Sequence, residues 1–210
     1  QCRIDPLGVP GIISTHDQLL DGAMGQVFKG CVFPADGTYC DEIQRASLRV
    51  ADVLAQEGVL GRFGVDFMTI RRGSDWECQA IEINLRKGGT THPYLMLQFL
   101  TDGTYDPESA SYRTPTGRTS CYYASDNMGD PAYRGLTPDD LIDIAVDNDL
   151  HFDASTQRGV TFHLIGALSR YGKLGTVCIG ETHAEAERYF RSTVAVLDRE
   201  ARSGAKDSDS

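Results

Sequence analysis

The sequence predicts an α+β fold, in which a mainly antiparallel sheet is backed by helices and followed by a small C-terminal appendage. Three observations carry that expectation. Residues 61–93 (GRFGVDFMTIRRGSDWECQAIEINLRKGGTTHP) read as two strands, Phe63 to Ile70 and Trp76 to Leu85, joined by a Gly73-Ser74-Asp75 turn, which makes a β-hairpin. Apolar residues at helical spacing over 41–57 and 92–101 supply two helices to back it. Neither a repeat nor the regular strand–helix alternation of a doubly wound sheet is present. A chain of 210 residues can bury a sizeable core, as one domain or two small lobes.

In chain order, Gln1 to Pro6 reads as a strand, and Gly8 to Ser14 as a turn entering a second short strand. Thr15-His16-Asp17-Gln18 reads as a loop before the glycine-containing DGAMGQ segment, and Gln26 to Phe33 as a strand stopped by Pro34. Asp41 suits a helix N-cap with Gln44 at the capping-box position, and Ile43, Ala46, Ser47, Val50, Ala51 and Leu54 recur at helical spacing until Gly58. Pro93 opens a second helix that is apolar almost all round (Tyr94, Leu95, Met96, Leu97, Phe99), hence expected in the core, and Asp102-Gly103 ends it. Residues 103–135, rich in Gly, Pro, Ser, Thr and Tyr, are expected to form an extended loop with one strand at Ser120 to Ala124, closed by a Ser125-Asp126-Asn127 turn. Thr137-Pro138-Asp139-Asp140 then starts a helix with cap, proline and first-turn acids in place. From Leu150 the apolar runs LHFD, GVTFHLIGAL and TVCIG read as strands around a SRYGKLG turn. Thr182 and Glu185 form a capping box for a last helix whose Ala186, Phe190, Val194 and Leu197 stripe docks on the body, and 203–210 is expected to be disordered.

The chemistry is concentrated in the hairpin. Side chains two apart on a strand share a face, so Glu82 and Asn84 point the same way, and a turn centred on Ser74 puts Asp66 directly across from Glu82. Facing carboxylates repel unless a cation sits between them or one keeps its proton. Two carboxylates and an amide oxygen suit magnesium or manganese, which complete their octahedron with water and substrate phosphates. Arg86 falls on the same face, with a planar fork of donors that matches phosphoryl oxygens. The Gly88-Gly89-Thr90-Thr91 turn adds unhindered N–H groups and two hydroxyls ahead of a helix, a favourable place for an anion. Each feature alone is ordinarily a solvated strand or a plain turn, and it is the combination that points to a site. Outside the hairpin, His16 beside Asp17 suggests acid–base work, although a loop histidine is ordinarily a hydrogen-bonding or surface residue. His163, inside an apolar run, is ordinarily a core residue, and Lys173 in its turn is free to meet a carboxylate or phosphate.

EINLR at 82–86 after VDF at 65–67 resembles the metal-binding segment of the ATP-grasp ligases. The longer string EINLRKGGTTHP, with STHDQ at 14–18 and GVTFHLIGALSRYGKLG at 159–175, resembles the pheganomycin-type peptide ligase branch of that superfamily, over nearly the whole chain. The resemblance implies that 1–102 is the C-terminal part of an ATP-grasp domain, 103–202 a family-specific C-terminal domain and 203–210 a tail. It implies an ATP-dependent carboxylate–amine ligase acting through an acylphosphate, with ATP and magnesium (or manganese) as cofactors. Asp66, Glu82 and Asn84 would hold the metal and Arg86 would steady the transferring phosphoryl group, with Arg86, Lys87, Gly88 and Gly89 on the nucleotide. Thr90, Thr91, His92, Gln18, His16, Asp126, Asn127 and Lys173 would lie near the substrates. Since the chain opens at Gln1 without nucleotide-clamping elements in 1–60, it is expected to be the C-terminal portion of a longer enzyme, inactive alone. The alternatives are a non-catalytic metal- or nucleotide-binding module and an interaction domain whose hairpin is only structural.

A net charge of −10 and a pI near 4.9 argue against a nucleic-acid partner, which needs a basic surface; the partners that the resemblance implies are small-molecule or peptide carboxylates and amines. The six cysteines are scattered without a C-x-x-C pair, so reduced thiols are expected rather than zinc or a disulfide framework. No apolar run approaches the about 18 residues of a membrane span, and the expected location is cytoplasmic. The sequence assigns no oligomeric state.

Overall fold

The computed structural model describes residues 1–207, with side chains through 202. Strands β1 (Cys2–Ile4), β2 (Pro10–Ile12), β3 (Asp17–Asp21) and β4 (Val27–Phe33) lead into helix α1 (Gly37–Gln56). The hairpin β5 (Gly61–Arg72) and β6 (Asp75–Asn84) follows, then α2 (Thr91–Thr101). The second half carries β7 (Thr104–Asp106), β8 (Ser111–Arg113), β9 (Cys121–Gly129), α3 (Pro138–Asp147), β10 (Gly159–His163), α4 (Leu168–Tyr171), β11 (Lys173–Gly180) and α5 (His183–Asp207). These build a four-stranded sheet, order β2-β1-β5-β6, a five-stranded sheet, order β10-β11-β9-β4-β3, and a β7-β8 ribbon, with every paired strand antiparallel.

Each sheet is held by its own apolar layer. Ala51 of α1 lies on Cys2, Ile4 and Phe63 of the four-stranded sheet, joined by Val65 at its margin. One face of the five-stranded sheet packs Phe33, Tyr122, Val177 and Ile179 against Tyr94 and Leu97 of α2 and Tyr105 and Tyr112 of the ribbon. The other face buries Leu174 and Cys178 beneath Leu141 and Ala145 of α3 and Val196 and Leu197 of α5. Residues 177 and 179 go one way and 174 and 178 the other, which is the period of two that a strand buried on both faces requires.

The structure departs from several sequence-based expectations. Helix α1 begins a turn earlier than Asp41, because the Asp36 carboxylate accepts the Thr38 N–H and caps it. Gln44 is therefore inside the helix, buried, and its amide donates to the Pro107 carbonyl at 3.1 Å. Asp17 and Gln18 belong to strand β3 rather than a loop. Helix α2 is not buried all round: Tyr94 and Leu97 face the core while Phe99 is 89 % exposed. Residues 103–135 hold the β7-β8 ribbon in addition to the expected strand, which runs on to Gly129 as β9, with Tyr122 of β9 and Tyr105 and Tyr112 of the ribbon buried in one core. Ser125, Asp126 and Asn127 lie inside β9 and do not close it. A division at 102/103 would cut through a sheet, since β4 pairs with β9 over Gly30–Ser125 to Phe33–Tyr122. Helical backbone continues to Asp207, into the segment expected to be disordered, and that expectation for 208–210 lies outside the described residues. All six cysteines are free, four of them buried, and among the described residues no helix is long and apolar enough to cross a membrane.

Candidate functional site

The hairpin brings Asp66 opposite Glu82, with Gly64 opposite Asn84, but by a different route from a turn centred on Ser74. The turn is the two-residue Gly73-Ser74, with Arg72 paired to Asp75, and this register would carry Asp66 onto Ile81. Ile81 is an unpaired extra residue between Ala80, which faces Phe67, and Glu82. This β-bulge resets the ladder by one and aligns the two carboxylates. Asn84 Nδ2 donates to Asp66 Oδ2 at 3.2 Å, so three of the expected ligands are in one group.

The electrostatics match that arrangement. Partial burial, followed by the charge of Glu82 across the ladder, pushes the Asp66 carboxyl above its ordinary value, against the pull of Arg86 and the Asn84 bond. Glu82 is exposed on the edge strand β6. Among the described residues no three His, Cys, Asp or Glu side chains gather as a metal site, so a cation here would have to rest on two carboxylates, the Asn84 amide, and whatever oxygens a ligand or water brings.

The hairpin forms one wall of a cleft whose other wall is the β3-β4 hairpin. The larger part, about 450 Å³, is lined by Gln18 and Leu20 of β3, Tyr39, Ile43 and Gln44 of α1, and Val65, Asp66 and Phe67 of β5. The smaller part, about 280 Å³, is lined by Glu82, Asn84, Arg86 and the 88–91 loop, and shares Gln1, Gln18, Gly64, Asp66 and Thr90 with the first. Arg86 follows a tight turn in which its N–H donates to the Asn84 carbonyl at 2.7 Å, and among the described residues it is the only arginine or lysine lining either part. Lys87 is exposed and lines neither part.

Gly88, Gly89, Thr90 and Thr91 line the smaller part, but both hydroxyls are already engaged by Gln1. Thr90 Oγ1 accepts from Gln1 Nε2 at 2.7 Å, while Thr91 Oγ1 donates to Gln1 Oε1 at 3.1 Å and accepts the Gly88 N–H. They tie the loop to the start of β1. His16 lines the larger part, yet its Nε2 is bonded to the Tyr122 hydroxyl at 2.8 Å, within reach of the rings of Phe33, Tyr94 and Tyr122. Burial holds its pKa well below the imidazole value, so it is a neutral structural histidine and not an acid or base poised near neutrality.

His92 and Asp126 meet elsewhere, in a second cavity of about 180 Å³ between α2 and the five-stranded sheet. His163 lines it too, its ring 4.6 Å from that of His92. Asn127 and Lys173 line neither the cleft nor this cavity. Gln1, Phe28, Tyr39 and Gln44 were not expected at a site. Their side chains converge only once the two sheets are placed, and no local spacing marks them. Tyr39, for example, reaches the cleft because its hydroxyl donates to Asp17 Oδ1 at 2.6 Å.

Comparison with known proteins bears on this geometry. Residues 140–193 match the family described as the PGM1 C-terminal domain. Over 197 residues the chain is 33 % identical to the L-propargylglycine–L-glutamate ligase of Streptantibioticus cattleyicolor, a match that covers 93 % of this chain and 39 % of that enzyme. Two solved structures from Aspergillus clavatus are similar. One is carboxyaminoimidazole ribonucleotide synthase complexed with ATP (TM-score 0.50, 17 % identity, 94 % of this chain and 49 % of that one). The other is N5-carboxyaminoimidazole synthase with ADP and 5-aminoimidazole ribonucleotide (TM-score 0.54, 16 % identity, 94 % and 50 %). These likenesses show the fold, a mixed α/β architecture shared with the two synthases. The chain spans 39 % of the length of the curated relative and about half of each solved neighbour.

Proposed function

We propose that this chain is the metal-binding, C-terminal portion of an ATP-dependent carboxylate–amine ligase of the pheganomycin-type branch of the ATP-grasp superfamily. The observation that carries the reading is the Asp66–Glu82 pair, set opposite each other by the Ile81 bulge in a cleft whose one basic lining residue is Arg86. The 33 % identity to a ligase supports it, and that relative's name supports amino acids or short peptides as the two substrates.

Asp66 and Glu82, with Asn84 after rotation of its amide, would hold magnesium or manganese, and the bound ion would neutralise charge on the β- and γ-phosphates. Arg86 presents its fork at the mouth of the same cleft, where the phosphoryl group would pass from ATP to the carboxylate. The Gly89 amide, in the loop that lines the smaller part of the cleft, would add a donor for the nucleotide, while Lys87, outside the lining, and the Gly88 N–H, bonded to Thr91 Oγ1, would reach it only after the loop moves. The amine nitrogen then attacks the acyl carbon, the C–O bond to phosphate breaks with its electron pair leaving on phosphate, and the amine proton passes to solvent. No covalent enzyme intermediate is needed. Dependence on ATP and free thiols both fit a cytoplasmic protein.

A second reading, a binding module without turnover, draws on the scarcity of basic residues along the cleft. The two are separated by calorimetry with magnesium and ATP on this chain, and by ADP release from the full-length protein. A ligase releases ADP only with both a carboxylate and an amine present, and hydroxylamine should trap its acylphosphate as a hydroxamate. In the full-length protein Glu82→Gln should weaken metal–nucleotide binding, and unchanged affinity together with unchanged turnover would sink the site assignment.

A further inference from the structure

We propose that the second cavity, between α2 and the bulged end of β9, binds the primary amine of the second substrate. Asp126 would pair with its ammonium, and the His92 and His163 imidazoles would accept its N–H groups. The inference rests on the ligase reading for the role of that amine, but not for its binding.

The cavity is built by the sheet. Leu174 pairs with Met128 and Thr176 with Ser125, so Asp126 and Asn127 together oppose Gly175 alone, a second β-bulge. On the other side of β11, His163 of β10 pairs with Gly175. A Cβ at residue 175 would overlap the His163 ring, so only glycine there lets the imidazole lie across β11 towards the bulge. His92, at the start of α2, closes the group edge-on.

The lining chemistry selects the ligand. Phe28, Cys31, Pro93 and Leu164 give an apolar body, while among the described residues no lysine or arginine lines the cavity. A carboxylate entering here would meet Asp126 with nothing to offset it, whereas an ammonium would find a carboxylate and two ring nitrogens. Burial, followed by the neighbouring His92, brings the His163 pKa down to about 4, which leaves its ring uncharged near neutrality and able to accept a hydrogen bond. The volume of about 180 Å³ is below the roughly 300–1,000 Å³ of drug-sized pockets, so the occupant is a small amine or the amine end of a larger one.

Its position fits the reaction. Phe28 and Gly89 line both this cavity and the hairpin cleft, and a Cβ on Gly89 would come within 2.7 Å of Phe28 Cε1. The two compartments therefore adjoin at one ring and one bare backbone, so an amine seated beside Asp126 would lie next to the residues proposed for the phosphoryl group.

The test is an NMR titration of this chain near pH 7 with n-butylammonium chloride and, separately, sodium butyrate at matched ionic strength, observing the histidine ring protons and assigning them with His92→Gln and His163→Gln. The expected result is saturable movement of the His92 and His163 signals by butylammonium and not by butyrate, with affinity about tenfold weaker in Asp126→Asn, the loss of one charge-assisted hydrogen bond. An unmoved His16 signal shows that the variant is folded. Failure to saturate, equal movement by butyrate, or unchanged affinity in Asp126→Asn would overturn the assignment. The titration uses neither metal nor ATP, so its outcome is independent of whether the full-length protein releases ADP.

Discussion

The hairpin cleft and the second cavity both depend on a one-residue β-bulge, yet they produce opposite environments. In the hairpin the extra residue, Ile81, sets Asp66 against Glu82 on an open edge, so the site holds unrelieved negative charge beside Arg86. In the five-stranded sheet the extra residue sits in β9, where Asp126 is accompanied by two imidazoles and apolar side chains instead of a second carboxylate. The difference lies in what faces the bulge. Opposite Asp66 is a like charge that only a cation or proton relieves, and opposite Asp126 is a glycine that admits a neutral ring. On the readings proposed above, one compartment would select a divalent cation with its phosphates, and the other a single ammonium.

The largest effect expected from breaking this contrast is at Arg86. If it faces developing charge on the phosphoryl group, Arg86→Lys in the full-length protein should lower kcat by about 10²–10³-fold, roughly 3–4 kcal/mol, because an ammonium cannot present a planar fork. Its stability should shift by about 0.5 kcal/mol or less, as for other exposed positions. Near-normal amide formation at saturating ATP would reduce Arg86 to a ground-state contact and leave the cleft without its distinguishing group.

Next in size is Gly175→Ala, aimed at the other compartment. The added methyl must displace the His163 ring, and overpacking of this kind typically costs about 1–3 kcal/mol. The variant should melt lower and lose the butylammonium response, while magnesium–ATP binding at the hairpin stays as it was. Loss of both responses in a folded variant would mean that the compartments are not separable.

Acid provides a third, smaller contrast. His163 has its pKa lowered to about 4, so it contributes stability that is present above the ordinary histidine value near 6.5 and is lost as pH falls from there towards 4. His16, also lowered by burial, acts with the same sign. His163→Gln should therefore flatten the decline in melting temperature between about pH 6.5 and 4 without abolishing it, since His16 remains. An unchanged slope would place the His163 ring in solvent.

These compartments differ too in how far they can be read from the chain. The Asp66, Glu82 and Asn84 grouping is legible because alternation along two adjacent strands decides it, even though the turn is one position off and the bulge at Ile81 restores the pairing. Helix α3 is legible for the same reason: its Thr137–Asp140 capping box is local. The His92–His163–Asp126 group joins a helix start and two strands far apart in sequence, across a bulge that no residue pattern announces. Each of its members was visible only as an isolated polar residue. For β9 the strand expected at Ser120 to Ala124 is present, but its continuation through Gly129 and its central place in the sheet are visible only once Tyr122 and Ala124 have Phe33 and Leu97 to pack on. Thr90 and Thr91 mark the reverse case, where a local reading offers free hydroxyls and the distant Gln1 engages both, donating to Thr90 and accepting from Thr91.

The smallest effect concerns the charge stored at Asp66, and its sign depends on what fills the cleft. The folded-state pKa of Asp66 is raised, so its contribution is fully favourable below the unfolded carboxyl value near 4 and is lost as pH rises through the folded value. Without metal at neutral pH the ionised pair Asp66–Glu82 is then a net cost. Asp66→Asn removes it while keeping an oxygen to accept the Asn84 amide. The variant should be slightly more stable than the parent in the presence of a chelator, by less than about 1 kcal/mol, because a half-exposed pair is screened by water. With millimolar magnesium and ATP the order should reverse, since the parent alone has the anionic pair that favours the ion. Melting curves of the two proteins with and without magnesium–ATP measure the crossing directly. Parallel shifts, with no exchange of order, would mean that Asp66 carries no cation and that the hairpin owes its facing carboxylates to the strand pattern alone.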